Sequence, residues 1–291
     1  MSNKASIRPS DSDTILVPVD FTETTENGLR HAITLARIFS KRLVLLHVVG
    51  TGKNSNAEQE KALVRLNELI SKYSDSGISM KAHAEKGNIF DTIGEVADQE
   101  NAVLVVMGTH GVLGMQKVLG SKALKVILNA TKPFVVVQKK PIKSEGYKNI
   151  VLPIDFSKET KQKLMWAVEL GKKFEAEFKI LVAFENDEFI ARGVKNNLAY
   201  AENFLKSHNC KFTVHQASKG DFAKETISFA AQSQADLIII MTNQEKDLTH
   251  YIVGPYEQNV IANDAQIPVM TLHPVVTHNA VNGHLFNFGN F

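Results

Sequence analysis

The chain has 291 residues, enough for two ordinary domains, and its 44% hydrophobic and 22% charged residues are typical of a soluble globular protein. Its formal net charge of +2 argues against a general attraction to nucleic acid or to an anionic membrane surface. No run of about 18 apolar residues could cross a bilayer, so we expect neither a nucleic-acid partner nor a membrane partner.

The first half of the chain alternates apolar runs with amphipathic segments. Residues 1–12 are polar and lack the apolar stretch of a secretory signal, so we expect a frayed tail there. Strands are predicted over residues 14–19, 43–49, 78–84, 103–107 and 134–138. Leu29, Ile33 and Ala36 recur at helical spacing, Asn88 is placed to cap a helix over about 89–100, and Ser121 to cap another that ends near 129. Most of the strands are rich in Val, Ile and Leu, which indicates burial on both faces of a parallel sheet.

The second half repeats the first. Residues 16–39 align with residues 151–174 at a constant offset of 135, with identical residues at positions such as Pro18 and Pro153 or Asp20 and Asp155. Strands are predicted near 149–154, 178–184, 211–217, 236–241 and 268–272, and helices near 160–174, 195–207, 222–234 and 255–263. The pattern predicts an α/β protein with two doubly wound, Rossmann-like parallel-sheet domains in tandem, at 13–142 and 147–274, joined by the polar segment 143–146.

The remaining segment, residues 275–291, has no Lys, Arg, Asp or Glu but contains Leu285, Phe286, Phe288 and Phe291. Such a segment would expose apolar surface if it were free, so we expect it to pack on the body of the protein or on a neighbouring chain. The single cysteine, Cys210, cannot form a disulfide within the chain, and this agrees with a cytoplasmic location.

Two features of the first repeat fall at the carboxyl ends of predicted strands, where doubly wound domains bind ligands. Asp20 closes the first strand, and Gly108-Thr109-His110-Gly111 closes the fourth. After eight residues, Gly120-Ser121 opens a helix. Glycine can adopt positive φ and approach an anion closely, and consecutive main-chain N–H groups in such a turn bind phosphate. The start of the helix adds free N–H groups and a hydroxyl, while Asp20 can accept from a base or a ribose hydroxyl.

These residues resemble the universal stress protein family in its tandem form, with a similarity that runs from about residue 13 to residue 274. Members that bind ATP carry Gly-x-x-Gly, nine residues, then Gly-Ser or Gly-Thr, with an aspartate at the end of the first strand; here the spacing is eight. The fold implied is that of the adenine-nucleotide α-hydrolase-like proteins. The resemblance implies that ATP is bound by Pro18, Val19, Asp20, Val48, Gly108, Thr109, His110, Gly111, Gly120 and Ser121. A Mg²⁺ ion would come with the nucleotide and not from a protein cage.

The second repeat lacks this phosphate-binding pattern. Its matching residues are Thr242-Asn243-Gln244-Glu245 and then Gly254-Pro255, so two glycines are lost and a carboxylate stands where phosphate would lie. Proline also lacks the N–H that Ser121 supplies. Asp155 is retained, and there it can simply cap a helix. We therefore expect one nucleotide site per chain.

The sequence favours a regulator that binds an adenine nucleotide. It has no P-loop, no evident general base, no predicted catalytic residue and no predicted metal site, so any ATP hydrolysis should be slow. Two alternatives stay open: a protein that binds other proteins and no nucleotide, and, less favoured, an enzyme of the same fold class. At the residue level, Asp20 could act with Thr22 as a helix cap, and the glycines could be plain turn residues. We expect the last strand of each repeat to pair as an internal pseudo-dimer, and a homodimer is left open.

Overall fold

The fold was analysed from a computed structural model that describes residues 14–109, 124–127, 130–244, 251–252 and 254–274. The first repeat begins with strand β1, and α1 follows after a tight turn. Residues 124–127 are helical, and a short 3-10 turn lies at Ser74–Ser76. The elements in chain order are β1 Thr14–Pro18, α1 Glu23–Phe39, β2 Arg42–Val49, α2 Ser55–Lys72, β3 Met80–Lys86, α3 Ile89–Gln99, β4 Ala102–Gly108 and β5 Phe134–Val137.

The second repeat follows the same order. Its elements are β6 Asn149–Ile154, a 3-10 turn Lys158–Lys161, α4 Lys163–Phe174, β7 Glu177–Val182, α5 Glu188–Ser207, β8 Lys211–Gln216, α6 Phe222–Gln232, β9 Leu237–Met241, the short strands β10 Asn243–Gln244 and β11 Tyr251–Ile252, α7 Pro255–Ile261 and β12 Val269–Leu272. Every predicted strand is present within two residues of its expected ends. Helix α5 begins well before the predicted residue 195, because Asp187 caps it by accepting from the N–H groups of Phe189 and Ile190.

Both repeats contribute to one ten-stranded sheet with the order β3-β2-β1-β4-β5-β12-β9-β6-β7-β8. All neighbours in this order are parallel except β5 and β12, which pair antiparallel through the last strand of each repeat. Val135 lies opposite Met270, its own equivalent at the repeat offset, so an approximate two-fold axis passes through this pair. The carboxyl ends of the two sets of parallel strands therefore lie on opposite edges of the sheet.

Helices cover both faces of the sheet, which confirms the predicted doubly wound α/β fold. The core on one face includes Leu29, Leu66, Leu164 and Leu205, from α1, α2, α4 and α5. The core on the other face includes Ile93 of α3, Ile127, Ala230 of α6 and Val260 of α7. Within the described residues, no helix is both long and apolar enough to cross a membrane.

Two buried polar side chains cross between the repeats at equivalent positions. The Gln138 side-chain amide, just after β5, donates to the carbonyl oxygens of Ile261 and Asn263, each at 3.2 Å. His273, just after β12, contacts Thr242 Oγ1 through Nδ1 at 2.8 Å and lies close enough to the main chain of Ile127 to interact with it. Gln138 thus caps the end of α7 of the other repeat, because free carbonyl groups at helix ends need donors.

The connecting segment is held on both sides by buried polar contacts. His31 of α1 contacts the Tyr147 hydroxyl through Nδ1 at 2.8 Å and the Lys140 carbonyl through Nε2 at 3.1 Å. From the second repeat, Asp236 forms an ion pair with Lys143 at 2.7 Å. The polar residues between the repeats are therefore anchored to both domains.

Replacing Gln138 with leucine should destabilise the chain. The variant leaves the buried carbonyl groups of Ile261 and Asn263 without this donor, at a cost of about 1–3 kcal/mol in the free energy of unfolding. Urea unfolding followed by circular dichroism measures the change. Lys139→Ala, an exposed neighbour, is the matched control and should stay within about 0.5 kcal/mol of the parent. Equal stability of the two variants would contradict the assigned role of Gln138.

The stability of the protein should fall as the pH is lowered from about 6.5 toward about 4. Burial lowers the pKa of both His31 and His273 to about 4, so the unfolded chain takes up protons over this range before the folded chain does. Each imidazole can account for about 3 kcal/mol. The variant His273→Gln, which copies the first repeat's Gln138, should flatten the dependence of the unfolding free energy on pH. A slope as steep as that of the parent would show that His273 is not one of the responsible groups.

Candidate functional site

The turn after β1 is organised by Asp20. Its Oδ1 accepts from the Thr22 N–H at 3.0 Å, the Thr22 hydroxyl at 2.6 Å and the Thr25 hydroxyl at 3.0 Å. Thr22 in turn caps α1 by accepting from the Thr25 N–H at 3.4 Å. The helix-capping interpretation of Asp20 is therefore correct, and the residue is also solvent-exposed, where a ligand could reach it.

Phe21, the next residue, adopts a conformation that is rare for a bulky side chain. Its φ is 63°, whereas the equivalent Phe156 is not among the residues with positive φ. The ring of Phe21 lies 3.8 Å from the Arg65 guanidinium carbon and 4.7 Å from the His47 ring, measured to ring centroids. A strained main chain persists where surrounding contacts hold it, and such positions are concentrated at functional sites. No sequence pattern predicted this arrangement.

Pro18, Val19 and Val48 lie where β1 and β2 end side by side. Pro18 pairs with Leu46 of β2, and the N–H of Val19 donates to the Leu46 carbonyl at 2.8 Å. The Val19 carbonyl is 2.6 Å from His47 Nδ1. Most of the hydrogen-bonding capacity of Val19 is thus used within the protein, and ligand contacts from these three residues stay a prediction.

Gly108 is required for close packing and not for positive φ. Positive φ at glycine occurs, within the described residues, at Gly77, Gly146 and Gly220, so the expectation for Gly108 is wrong. A Cβ at Gly108 would overlap the Thr24 carbonyl oxygen and lie 2.6 Å from the Thr25 Cα. The first turn of α1 therefore passes directly over the end of β4.

Thr109 carries a buried hydroxyl that has no hydrogen-bond partner among the described residues. The residue is 8% exposed, and its N–H donates to the Val137 carbonyl at 2.8 Å. In the second repeat, the N–H of Thr242 makes the same bond to Leu272, but its hydroxyl is paired with His273 at 2.8 Å. A buried hydroxyl without a partner is costly, which indicates that an additional group satisfies it.

The structure brings six of the predicted site residues to one edge of the sheet. The strand order β2-β1-β4 places Val48, Pro18, Val19, Asp20, Gly108 and Thr109 at neighbouring strand ends. The other four, His110, Gly111, Gly120 and Ser121, lie outside the described residues. In the part of the chain that is described, no group of three or more His, Cys, Asp or Glu side chains could hold a metal ion.

The corresponding edge of the second repeat carries Lys163, which stands where the first repeat has Gly28. Gly28 is tightly packed, since a Cβ there would lie 3.0 Å from the Gly108 nitrogen. Lys163 is fully buried and its ammonium group donates to the Pro153 carbonyl. Burial lowers its pKa to about 8, although the charge of Asp155 opposes this shift.

Two side chains of α7 lie beside Lys163 at this edge. Tyr256 and Glu257 line a cavity of about 20 Å³ together with Asp155 and Lys163, which is room for about one water molecule. Burial raises the pKa of Glu257. The alignment of the two repeats did not predict that these side chains pack together at this edge, although Gly28 aligned with Lys163 was a usable signal.

Comparison with known proteins agrees with the fold and the duplication. Residues 12–138 and residues 146–273 each match the family described as Universal stress protein family. The chain belongs to this family. Two universal stress proteins of Methanocaldococcus jannaschii are 26% and 30% identical over 153 and 138 residues; each alignment covers 43% of this chain, and they cover 94% and 81% of the relatives.

A solved structure shows the tandem arrangement across nearly the whole chain. The crystal structure of a universal stress protein from Archaeoglobus fulgidus superposes with a TM-score of 0.76, covering 91% of this chain and 99% of that one, at 20% identity. A putative universal stress protein from Pseudomonas aeruginosa superposes at 0.66 with 17% identity, covering 91% and 95%. At these identities the likeness shows the shared fold.

The variant Gly108→Ala should destabilise the protein because the added methyl group would collide with the first turn of α1. We expect a loss of about 1–3 kcal/mol, measured as the free energy of unfolding. The matched control is Gly50→Ala, since a Cβ there meets no atom within 4 Å. If Gly108→Ala were as stable as Gly50→Ala, the packing explanation for this glycine would be wrong.

Proposed function

We propose that this tandem universal stress protein binds one adenine nucleotide, with ATP as the expected ligand, at the carboxyl edge of the first repeat. The observation that carries the proposal is the buried hydroxyl of Thr109, which has no partner in the described part of the chain and lies beside the strand end that carries Asp20. The matching hydroxyl of Thr242 is paired within the protein, so this feature separates the two repeats in the way that their glycine patterns do.

The residues of this edge offer complementary groups to such a ligand. Asp20 would accept from a ribose hydroxyl or an adenine N–H, and Thr109 would donate to phosphate. The main-chain amides of Gly111, Gly120 and Ser121 would add donors for the phosphate chain, as the family resemblance implies. A bound nucleotide supplies its own Mg²⁺, which neutralises phosphate charge.

The second repeat is proposed to hold no nucleotide. Lys163, Tyr256 and Glu257 line this edge of the second repeat, where the cavity between them has a volume of only about 20 Å³. The strand register pairs Thr242 with Thr109, so the predicted alignment of Thr242 with Gly108 is wrong by one residue, and Gln244 stands at the position of Gly111. The second repeat therefore still lacks a glycine there. One nucleotide per chain is the expected stoichiometry.

The proposed role is regulatory. Ser121 precedes the helical residues 124–127 by three positions in the sequence, and Ile127 contacts His273 of the second repeat. Occupancy near Ser121 could therefore be transmitted to the other repeat through a buried contact. Burial raises the pKa of the single thiol, Cys210, so we assign it no catalytic role. A free cysteine is typical of a reducing compartment, and we place the protein in the cytoplasm.

A second candidate function is protein binding without a nucleotide. The observation that favours it is the full use of Asp20 Oδ1 in capping α1, which gives this residue a structural reason to be present. The loop between Gly111 and Gly120, one residue shorter than the family pattern, also favours it. Nucleotide extracted from the purified protein, identified by mass spectrometry, distinguishes the two candidates.

Thr109→Val should weaken ATP binding about fivefold, because one hydrogen bond of about 1 kcal/mol is lost. Isothermal titration calorimetry with ATP and Mg²⁺ measures the change. Thr242→Val is the matched control in the second repeat: it should lower stability, since it breaks the contact with His273, and leave the affinity unchanged.

The calorimetric result has two outcomes that would reject the proposal. If the parent protein shows no binding of any adenine nucleotide, the protein-binding function is preferred. If Thr242→Val weakens binding as much as Thr109→Val, the ligand does not distinguish the repeats and the first-repeat site is wrong.

A further inference from the structure

Three phenylalanine side chains form an exposed apolar surface at the carboxyl edge of the second repeat. Phe156 follows β6, Phe184 follows β7 and Phe189 lies in the first turn of α5. They are 40%, 42% and 74% exposed, and the rings of Phe156 and Phe189 are 5.9 Å apart. Large exposed side chains grouped in this way mark a surface that binds another group. These three residues are called the phenylalanine surface below.

The first repeat covers its equivalent aromatic residue. There the ring of Phe21 is covered by Arg65 at 3.8 Å and packs on His47 at 4.7 Å. In the second repeat, Phe156 instead packs on Gly193 of α5, where a Cβ would overlap its ring. The second repeat has therefore made room for the Phe156 ring against α5 while leaving it exposed.

The other two members of the surface are also specific to the second repeat. At the repeat offset of 135, Phe184 corresponds to Val49, which is 4% exposed. Counted from the helix caps Asn54 and Asp187, Phe189 corresponds to the polar Asn56. Apolar side chains have thus replaced a buried valine and an asparagine at the same edge. The fold does not require these phenylalanines, because the first repeat has the same fold without them.

The chain leaves the second repeat at this same edge. Strand β12 is parallel to β9, β6 and β7, so Pro274 follows its carboxyl end on the side where the phenylalanine surface lies. Three strand spacings, about 14 Å, separate β12 from β7. The eleven residues that follow Pro274, up to Leu285, can span about 36 Å, which is more than this distance.

The first repeat shows where a segment that follows the last strand runs. After β5, the carbonyl groups of Gln138 and Lys140 accept from the Asn27 side chain at 2.8 and 3.0 Å, so the chain crosses the start of α1. The equivalent helix of the second repeat is α4, whose partly buried Trp166 stands at the position of His31. The same course after β12 would lead toward α4, and Phe156 precedes α4 in the chain while Phe189 lies in the first turn of α5.

We propose that residues 275–291 bind the phenylalanine surface of their own chain through Leu285, Phe286, Phe288 and Phe291. The segment has no charged Lys, Arg, Asp or Glu side chain, so its burial against aromatic rings desolvates no such charge. Its attachment at the same edge gives it a high effective concentration at this surface. The proposed nucleotide site of the first repeat lies on the opposite sheet edge, so an experiment that rejects one proposal does not reject the other.

Disulfide trapping in the full chain tests the proposal. In a Cys210→Ser background, one cysteine is placed in the segment by Asn287→Cys and the other beside the surface by Arg192→Cys, an exposed position one turn after Phe189. The matched control pairs Asn287→Cys with Val64→Cys, on the corresponding helix of the first repeat, where the side chain is 58% exposed. Mass spectrometry after mild oxidation measures the intrachain disulfide, which we expect to form roughly tenfold faster with Arg192→Cys.

Two further measurements decide between the possible occupants of the surface. Adding Phe189→Ser to the Arg192→Cys pair should slow trapping to the rate of the Val64→Cys pair, since a large apolar contact is lost. Equal rates for the two original pairs would overturn the proposal. A disulfide that forms mainly between chains, and faster at higher protein concentration, would overturn it in favour of a second copy.

Discussion

The antiparallel pairing of β5 with β12 is the interaction on which the arrangement of this protein depends. Each repeat ends in a short strand that would otherwise expose an unpaired edge. Joining the two edges makes a single ten-stranded sheet, places Gln138 where it caps α7 of the other repeat and places His273 beside the main chain of Ile127. It also directs the two sets of strand ends, and so the two candidate sites, to opposite edges.

The two repeats use the same frame at these edges in different ways. In the first, glycines at positions 28 and 108 let α1 pack tightly over β4, and the Thr109 hydroxyl has no partner among the described residues. In the second, Lys163 replaces the first glycine, and its buried ammonium group bonds to a main-chain carbonyl. A substitution at a crowded position therefore accompanies a different packing at this edge of the second repeat.

The fold could be predicted from the sequence, because apolar runs that alternate with segments of helical spacing are compatible with few folds, and the repeat offset showed two domains in tandem. The site could be predicted only in part. The role of Gly108 depends on which helix passes over it, and this contact joins residues far apart in the chain. Asp20 is a helix cap in the structure, and a carboxylate at a strand end has the same sequence pattern whether it caps a helix or binds a ligand. The positive φ of Phe21 likewise depends on Arg65 and His47, which local sequence does not reveal.

The shared β5–β12 contact has a consequence for how the two halves could diverge. In a dimer of identical subunits, every substitution is expressed in both partners, so a lysine that blocks one pocket blocks the other as well. Covalent fusion removes that constraint: Lys163 and the exposed phenylalanines occur once, on one side of the axis, while the interface itself keeps its near-symmetry. The molecule can thus retain the assembly of a dimer while its two lobes evolve under separate selection.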